Sequence, residues 1–200
     1  LSPVVASVNH LTCPGPLFYK SNRIGKNGEP FELLKFRTMI VDAESSRSEF
    51  SWQLQDDPRV TQMGRFLRKT HLDEIPQVLN VLRGEMSLIG PRAEMAWVAQ
   101  ELESVIPDYH LRHSIKPGIT GWAQVGLPVS SPLVQPELVF DYDLKYIQHR
   151  SLILDLRIVG RTLLLALGLD SLLANRPITT GRALLDSEWS QVLSSILNND

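Results

Sequence analysis

The sequence predicts a helix-rich α+β protein that contains one small β-hairpin. Two strand-like segments flank Asn27-Gly28, a dipeptide that strongly favours hairpin turns. Further along the chain, apolar residues recur at helical spacing, which is the pattern of helices with one buried face. The 200 residues are 43% apolar and 21% charged, which suits a folded domain, alone or with appendages, and argues against disorder.

Charge and cysteine content exclude some classes of protein. The formal net charge of −2 provides no overall attraction to nucleic acid, so any anion-binding site must be local. Cys13 is the single cysteine, which rules out an intramolecular disulfide and fits a reducing compartment.

The first predicted elements run from the hairpin to a short basic helix. The hairpin lies within "FYKSNRIGKNGEPFELLKFRTM". The polar segment "IVDAESSRSEFSWQLQDD" follows, is expected to be partly helical, and ends at Asp57-Pro58. A short basic helix is then predicted in "TQMGRFLRKTHL".

The clearest helix is predicted in "DEIPQVLNVLRG". Asp73 occupies the position of an N-cap, Pro76 is tolerated in the first turn, and Gly84 ends the helix. The residues expected to form its buried face share the spacing i, i+3, i+4, i+7, and they are Ile75, Val78, Leu79 and Leu82.

The rest of the chain is predicted to be helical on both sides of a long loop. One helix is expected in "AEMAWVAQELESVI", and "KPGITGWAQVGLPVSSPLVQP" is expected to be mostly loop. One or two helices follow in residues 137–169. Their apolar end, residues 152–169, contains three charged residues, so it suits a helix packed on a core or lying in a membrane interface better than one crossing a bilayer.

Asp73 and Glu74 are adjacent carboxylates at the start of the clearest helix, and they allow two interpretations. In the first, Asp73 only caps the helix and Glu74 faces water. In the second, both reach the volume above the first turn, where the helix dipole favours anions. Mg²⁺ is commonly held by one or two carboxylates together with substrate phosphate oxygens, so the pair could form a metal-assisted phosphoryl-transfer site.

Basic residues around the pair favour the second interpretation. The guanidinium of arginine matches phosphate oxygens bidentately, and Arg68 and Arg92 lie on either side of the pair in sequence. Arg68 could equally belong to a solvated basic face or touch anionic lipid, whereas Gly90-Pro91 fixes a turn that would aim Arg92. Lys35 and Arg37 alternate with apolar residues and so share one face of the hairpin, either lining a phosphate site or facing solvent.

Four long segments, in order, carry a resemblance to a known family. They read "PGPLFYKSNRIGKNGEPFELLKFRTM", "DPRVTQMGRFLRKTHLDEIPQVLNVLRGEMSLIGPRAE", "HSIKPGITGWAQV" and "DYDLKYIQHRSLILDLRIV". The chain thereby resembles the bacterial sugar transferases, the monotopic polyprenyl-phosphate phosphoglycosyl transferases, over residues 2–167. The resemblance implies transfer of a sugar-1-phosphate from a UDP-sugar to undecaprenyl phosphate with release of UMP. This reaction initiates exopolysaccharide, O-antigen or capsule assembly.

The resemblance also assigns roles to residues. Asp73 would be the nucleophile that forms a phosphosugar–aspartyl intermediate, and Asp73 and Glu74 would together hold Mg²⁺. The residues expected to bind substrate phosphates are Lys35, Arg37, Arg68, Arg92 and Arg112. A carboxylate nucleophile divides one difficult transfer into two easier ones, and metal and arginines supply charge stabilisation.

The fold implied by the resemblance is a compact, mostly helical α+β domain on the cytoplasmic face of the bacterial plasma membrane. Amphipathic helices would associate with the leaflet, and a homo-oligomer is left open. Residues 1–16 would be the remnant of a re-entrant membrane helix, truncated at a bend at Ser2-Pro3. Residues 17–170 would form the catalytic domain, and residues 171–200 a tail of unassigned role.

One departure from the family pattern raises alternatives. Members usually continue after "GWAQV" with an Asn-Gly-Arg-like run, whereas Gly126 to Pro136 here contain no basic residue. Arg112 is the candidate to supply part of the missing charge. The departure keeps open a catalytically weakened scaffold in a polysaccharide assembly complex, and a soluble hydrolase of nucleotide sugars is the third alternative.

Overall fold

A computed structural model of the chain describes residues 15–41, 57–127 and 136–169. The chain divides into two compact units, residues 1–119 and 120–200. Expectations for residues 1–14 and 170–200, and for most of residues 40–57, lie outside the described residues. The assignment of residues 17–170 to one catalytic domain stays a prediction.

The first unit begins with the predicted hairpin, which is confirmed. Strands β1 (Phe18–Ile24) and β2 (Pro30–Phe36) pair antiparallel, with Tyr19 opposite Lys35 and Arg23 opposite Phe31. The connection contains Asn27 at φ 58° and Gly28 at φ 81°. These left-handed conformations explain why asparagine and glycine occupy the turn.

The rest of the first unit is mainly helical and confirms most of the predicted elements. Helix α1 (Gln62–Lys69) starts where the Thr61 side chain accepts a hydrogen bond from the Gly64 amide. Helix α2 (Gln77–Leu82) is followed by β3 (Ser87–Ile89) and helix α3 (Ala96–Val105). Strand β4 (Gly118–Thr120) pairs with β3 in a second two-stranded sheet.

The prediction of which face of α2 is buried is wrong. The apolar residues at helical spacing are exposed, with Leu82 accessible at 77%, while Gln77, Asn80 and partly buried Val81 face the protein. Asn80 is fully buried because its side chain bonds to the strand that the helix packs against. Periodicity located an amphipathic helix but could not show which of its faces meets the protein.

The structure departs from the sequence prediction in two other details. Asp73 is not an N-cap of the α-helix, because Leu72–Glu74 forms a separate 3₁₀ turn and α2 begins after Pro76. Residues 116–136 are not mostly loop where they are described, since they contain β4 and a short helix, α4 (Trp122–Gly126). Gly84 ends the α2 region at φ 79°, as expected.

The second unit contains α4 and two longer helices. Residues 137–169 contain α5 (Pro136–His149) and α6 (Leu152–Ala166), separated at Arg150-Ser151. The core of this unit includes Trp122, Phe140 and Ile158. Helix α6 buries Leu154 and Ile158 but leaves a stripe of large apolar side chains exposed, which comprises Leu152, Ile153, Leu156 and Leu163. Within the described residues, no helix combines the length and apolar character needed to cross a membrane.

Candidate active site

The two carboxylates lie on a tight turn between α1 and α2. Helix α1 ends at Thr70, whose hydroxyl donates to the Phe66 carbonyl, and His71 follows in a left-handed conformation at φ 55°. This reversal starts the 3₁₀ turn that carries Asp73 and Glu74. Pro76 then sets the backbone for the first turn of α2.

Asp73 is a buried carboxylate in a mixed electrostatic environment. It is 8% exposed, and within the described residues no hydrogen bond or ion pair to its oxygens is found. Burial raises the pKa of Asp73, against the opposing attraction of Lys35. Glu74 adds a like charge that also raises it, whereas Arg68 lowers it. A poorly solvated carboxylate held near cations suits attack on an anionic phosphorus centre.

Glu74 is held by two cations. The Lys35 ammonium donates to Glu74 Oε1 at 2.6 Å, and Arg92 Nη2 lies 3.9 Å from the same oxygen. Burial alone would raise the pKa of Glu74, but the charges of Lys35 and Arg92 and the hydrogen bond outweigh it and lower the pKa. Burial also lowers the pKa of Lys35, which Glu74 partly offsets. Glu74 is therefore an ionised, oriented carboxylate.

Asn80 fixes the distance between the strand that carries Lys35 and the helix that follows Glu74. Its side-chain oxygen accepts from the Leu34 amide at 3.1 Å, and its nitrogen donates to the Glu32 carbonyl at 2.8 Å. The same nitrogen donates to Glu85 Oε2 at 2.7 Å. A fully buried amide with three partners is a precise link between elements.

Arg92 is aimed by the turn that precedes it. A Cβ on Gly90 would lie 2.5 Å from the Lys116 carbonyl oxygen, so only glycine permits this close approach. The backbone is secured further where the Gly118 amide donates to the Pro91 carbonyl at 2.9 Å. Arg92 itself remains 50% exposed, which leaves its guanidinium able to meet a ligand.

Arg112 is a buried side chain that contacts the Arg92 backbone. It is 1% exposed, stacks over the Tyr109 ring, and lies 3.6 Å from the Glu94 carboxylate. Its Nη2 donates to the Arg92 carbonyl at 3.1 Å. These contacts make Arg112 a support for the Arg92 backbone, and its predicted contact with substrate phosphate stays a prediction.

The two other predicted phosphate-binding arginines occupy different surroundings. Arg68 is exposed and donates to the Thr38 hydroxyl at 2.9 Å. Its positive charge lowers the pKa of Asp73. Arg37 is buried, and its Nε donates to the Pro16 carbonyl at 2.7 Å. The structure therefore brings Lys35, Glu74 and Arg92 into contact and places Arg68 near Asp73, whereas the observed bond of Arg37 secures backbone.

A small cleft is lined in part by Glu74 and contains residues that sequence reasoning missed. Its lining comprises Arg23, Leu33, Lys35, Glu74, Gln77, Met86, Arg92, Ala93, Gly118 and Ile119. Strand alternation could have found Arg23, because the hairpin register places Arg23 and Lys35 on one sheet face. No comparable signal in the sequence indicated that Asn80 is buried.

The carboxylate pair fits a hard divalent cation only with ligands from elsewhere. Within the described residues, no group of three or more potential ligating side chains (His, Cys, Asp, Glu) is found. One or two carboxylates are nevertheless the usual protein contribution to a Mg²⁺ ion that is also bound by substrate phosphates and water. The donor chemistry of Asp73 and Glu74 is therefore compatible with Mg²⁺.

The hairpin, the carboxylate turn and the Gly-Pro-Arg turn lie within the sequence segments that carry the resemblance to the bacterial sugar transferases. The chain belongs to this family, whose model matches residues 1–168. It is 41% identical over 154 residues to UDP-N-acetylgalactosamine-undecaprenyl-phosphate N-acetylgalactosaminephosphotransferase of Aeromonas hydrophila, covering 76% of this chain and 36% of that protein. It is 40% identical over 167 residues to UDP-glucose:undecaprenyl-phosphate glucose-1-phosphate transferase of Escherichia coli K12, covering 81% of this chain and 36% of that protein.

A further relative has a more similar length. The exopolysaccharide production protein PSS of Rhizobium leguminosarum bv. phaseoli is 39% identical over 164 residues, covering 79% of this chain and 81% of that protein. The chain thus spans about a third of the length of the first two relatives and most of the third.

Proposed function

We propose that the protein transfers a sugar-1-phosphate from a UDP-sugar to undecaprenyl phosphate and releases UMP. The observation that carries this proposal is the buried Asp73 carboxylate, adjacent in sequence to Glu74. The carboxylate of Glu74 is held in place by Lys35 and Arg92. The relatives named as UDP-sugar or undecaprenyl-phosphate transferases support the choice of substrates. The relative named for exopolysaccharide production supports a role in glycan assembly.

The proposed reaction has two steps at one phosphorus atom. An Asp73 oxygen attacks the sugar-bearing phosphorus, a new O–P bond forms, and the bridging P–O bond breaks as UMP leaves with the bridging oxygen. An oxygen of undecaprenyl phosphate then attacks the same phosphorus, and the Asp73–phosphorus bond breaks. Asp73 returns to a carboxylate, and the product is the undecaprenyl diphosphate sugar.

The surrounding residues provide charge and position for both steps. Arg92 is half-exposed next to Glu74 and binds a donor phosphate, while Lys35 orients Glu74. Arg68 offsets negative charge near Asp73. Mg²⁺, when held by Asp73 and Glu74, supplies positive charge to the diphosphate.

The proposed location is the cytoplasmic face of the bacterial plasma membrane, where a lipid acceptor resides. In the first unit, Ile75, which directly precedes Pro76 and α2, forms an exposed apolar surface with Val78, Leu79 and Leu82 of the helix. In the second unit, the exposed apolar stripe of α6 has the same character. Each surface matches a helix that rests in a lipid interface without crossing it.

Intact-protein mass spectrometry provides the test. The detergent-solubilised protein is mixed with Mg²⁺ and each of several UDP-sugars without lipid, with Asp73→Asn as the matched control. We expect the mass of one sugar phosphate to be added to the parent alone, mapped to Asp73, and then removed by undecaprenyl phosphate.

Other results would favour different functions. A folded parent that gains no mass and yields no lipid product with any donor would contradict the proposal and favour the scaffold alternative. Continuous loss of UDP-sugar to water without lipid would favour a hydrolase. Transfer by Asp73→Asn at the parent rate would rule out Asp73 as the nucleophile.

A further inference from the structure

Arg23 is a cation in the cleft that the reaction described so far does not use. It lies on β1, on the same sheet face as Lys35, and lines the cleft together with Lys35, Glu74 and Arg92. The backbone around it is fixed, because the Ile24 amide donates to the Glu94 carbonyl at 3.0 Å and Arg23 forms a β-bridge with Met95.

The Arg23 guanidinium has hydrogen-bonding capacity that the described residues do not satisfy. Its Nη1 donates to the Ala93 carbonyl at 3.2 Å. Its Nε is buried, and within the described part of the chain it has no hydrogen-bond partner. A buried donor without a partner is costly, so a bound ligand that accepts from it would gain affinity.

The charges in the cleft point to the nature of that ligand. Arg23, Lys35 and Arg92 line it against a single lining carboxylate, Glu74. Burial and the neighbouring charge of Arg92 both lower the pKa of Arg23. Like charges converge in this way at sites for polyvalent anions, and two arginines can grip neighbouring phosphate oxygens.

We propose that Arg23 binds the donor diphosphate, acting with Arg92 as the second arginine of a clamp on the phosphate oxygens. The identity of the anion rests on the proposed function, whereas the prediction of a polyanion site rests on the cleft itself. Arg23 is therefore assigned to substrate binding and not only to holding the Ala93 backbone.

The test uses variants that separate charge from structure. Arg23→Gln removes the charge but keeps an N–H donor for the Ala93 carbonyl. Lys20→Gln is the matched control, because Lys20 lies on the same strand, is exposed, and belongs to the opposite sheet face. Inorganic pyrophosphate is the probe, and its binding to each detergent-solubilised protein is measured by calorimetry with and without Mg²⁺, alongside the Tm.

We expect Arg23→Gln to weaken pyrophosphate binding by about 10-fold to 100-fold, the range for loss of a charge-assisted hydrogen bond. Lys20→Gln should bind like the parent. Pyrophosphate binding by Arg23→Gln within about twofold of the parent would overturn the proposal, and so would an equal loss in Lys20→Gln.

If Arg23→Gln also lowers the Tm, Arg23→Lys decides between the two roles. Binding restored by lysine while the Tm stays low would support phosphate contact, and binding that remains lost in proportion to the Tm would show a structural role alone. Covalent labelling measured at increasing UDP-sugar concentrations distinguishes this inference from the proposed function. If the parent and Arg23→Gln reach half-maximal labelling at the same UDP-sugar concentration, only the role of Arg23 is overturned. Arg23-dependent pyrophosphate binding without labelling of the parent by any donor overturns only the proposed function.

Discussion

Replacing Asn80 with alanine tests whether a single buried amide joins α2 to the hairpin. The change leaves the buried Leu34 amide without an acceptor, at a cost of about 1–3 kcal/mol. It also removes the donors to the Glu32 carbonyl and the Glu85 carboxylate, which lie where water has partial access. Each of these adds about 0.5–1.5 kcal/mol. We therefore expect a loss of about 2–6 kcal/mol in the free energy of unfolding.

Urea denaturation followed by far-ultraviolet circular dichroism measures this loss, and hydrogen exchange at the Leu34 amide measures it locally. Asn22→Ala is the control, since Asn22 is an exposed asparagine on β1. Asn80→Asp retains the acceptor for Leu34 but places a carboxylate against Glu85. Burial and this like charge would raise the pKa of the new carboxyl, so its penalty should be largest at neutral pH and decline with acidification. Asn80→Ala within 1 kcal/mol of Asn22→Ala, with unchanged exchange at Leu34, would refute the reasoning.

Three further predictions concern other parts of the molecule. Asp73→Asn should raise the Tm at pH 7, because burial raises the pKa of Asp73 and the ionised carboxylate therefore destabilises the fold. This gain in Tm should vanish towards pH 3.8, where the carboxyl of the parent is protonated. A Tm of Asp73→Asn below that of the parent at pH 7 would contradict the prediction. Burial lowers the pKa of His113 from 6.5 to about 4, so the parent should lose stability as pH falls through this window, by roughly 1–2 kcal/mol after solvent screening. His113→Phe should flatten that loss in urea titrations at several pH values, and an equally steep loss would count against it. The double variant Val78→Ser, Leu82→Ser should have a Tm nearly unchanged from the parent, because both side chains are exposed. Its binding to anionic lipid vesicles in sedimentation assays should be weaker by roughly 10-fold or more. Undiminished vesicle binding would exclude the exposed face of α2 as a lipid contact.

Local chemistry explains why much of the fold could be predicted from the sequence. Asn27-Gly28 fixes the hairpin because both residues adopt left-handed backbone conformations there. The short basic helix and α3 follow from residue periodicity and from end signals such as Thr61. The extra helix α4 was missed because its five residues lie in a segment rich in glycine and proline.

The candidate site was predicted in part, because its central residues are adjacent in sequence or lie on a simple strand alternation. Asp73 and Glu74 were expected to act together. Lys35 was expected either to line a phosphate site or to face solvent, and the structure shows its bond to Glu74. The support of Arg92 by Arg112 depends on contacts across 20 residues, which no local pattern encodes. The orientation of α2 depends similarly on Asn80, whose hydrogen-bond partners on the hairpin lie more than 40 residues away.

The outward-facing apolar side of α2 also fixes a height. A helix with its side chains is about 10–12 Å across, so its axis lies about 5 Å from a surface on which it rests. Asp73 and Glu74 belong to the turn that leads directly into α2. A bilayer meeting this face would therefore hold the two carboxylates at the level of its headgroups. There, a lipid phosphate could reach them while its hydrocarbon chain stayed in the membrane.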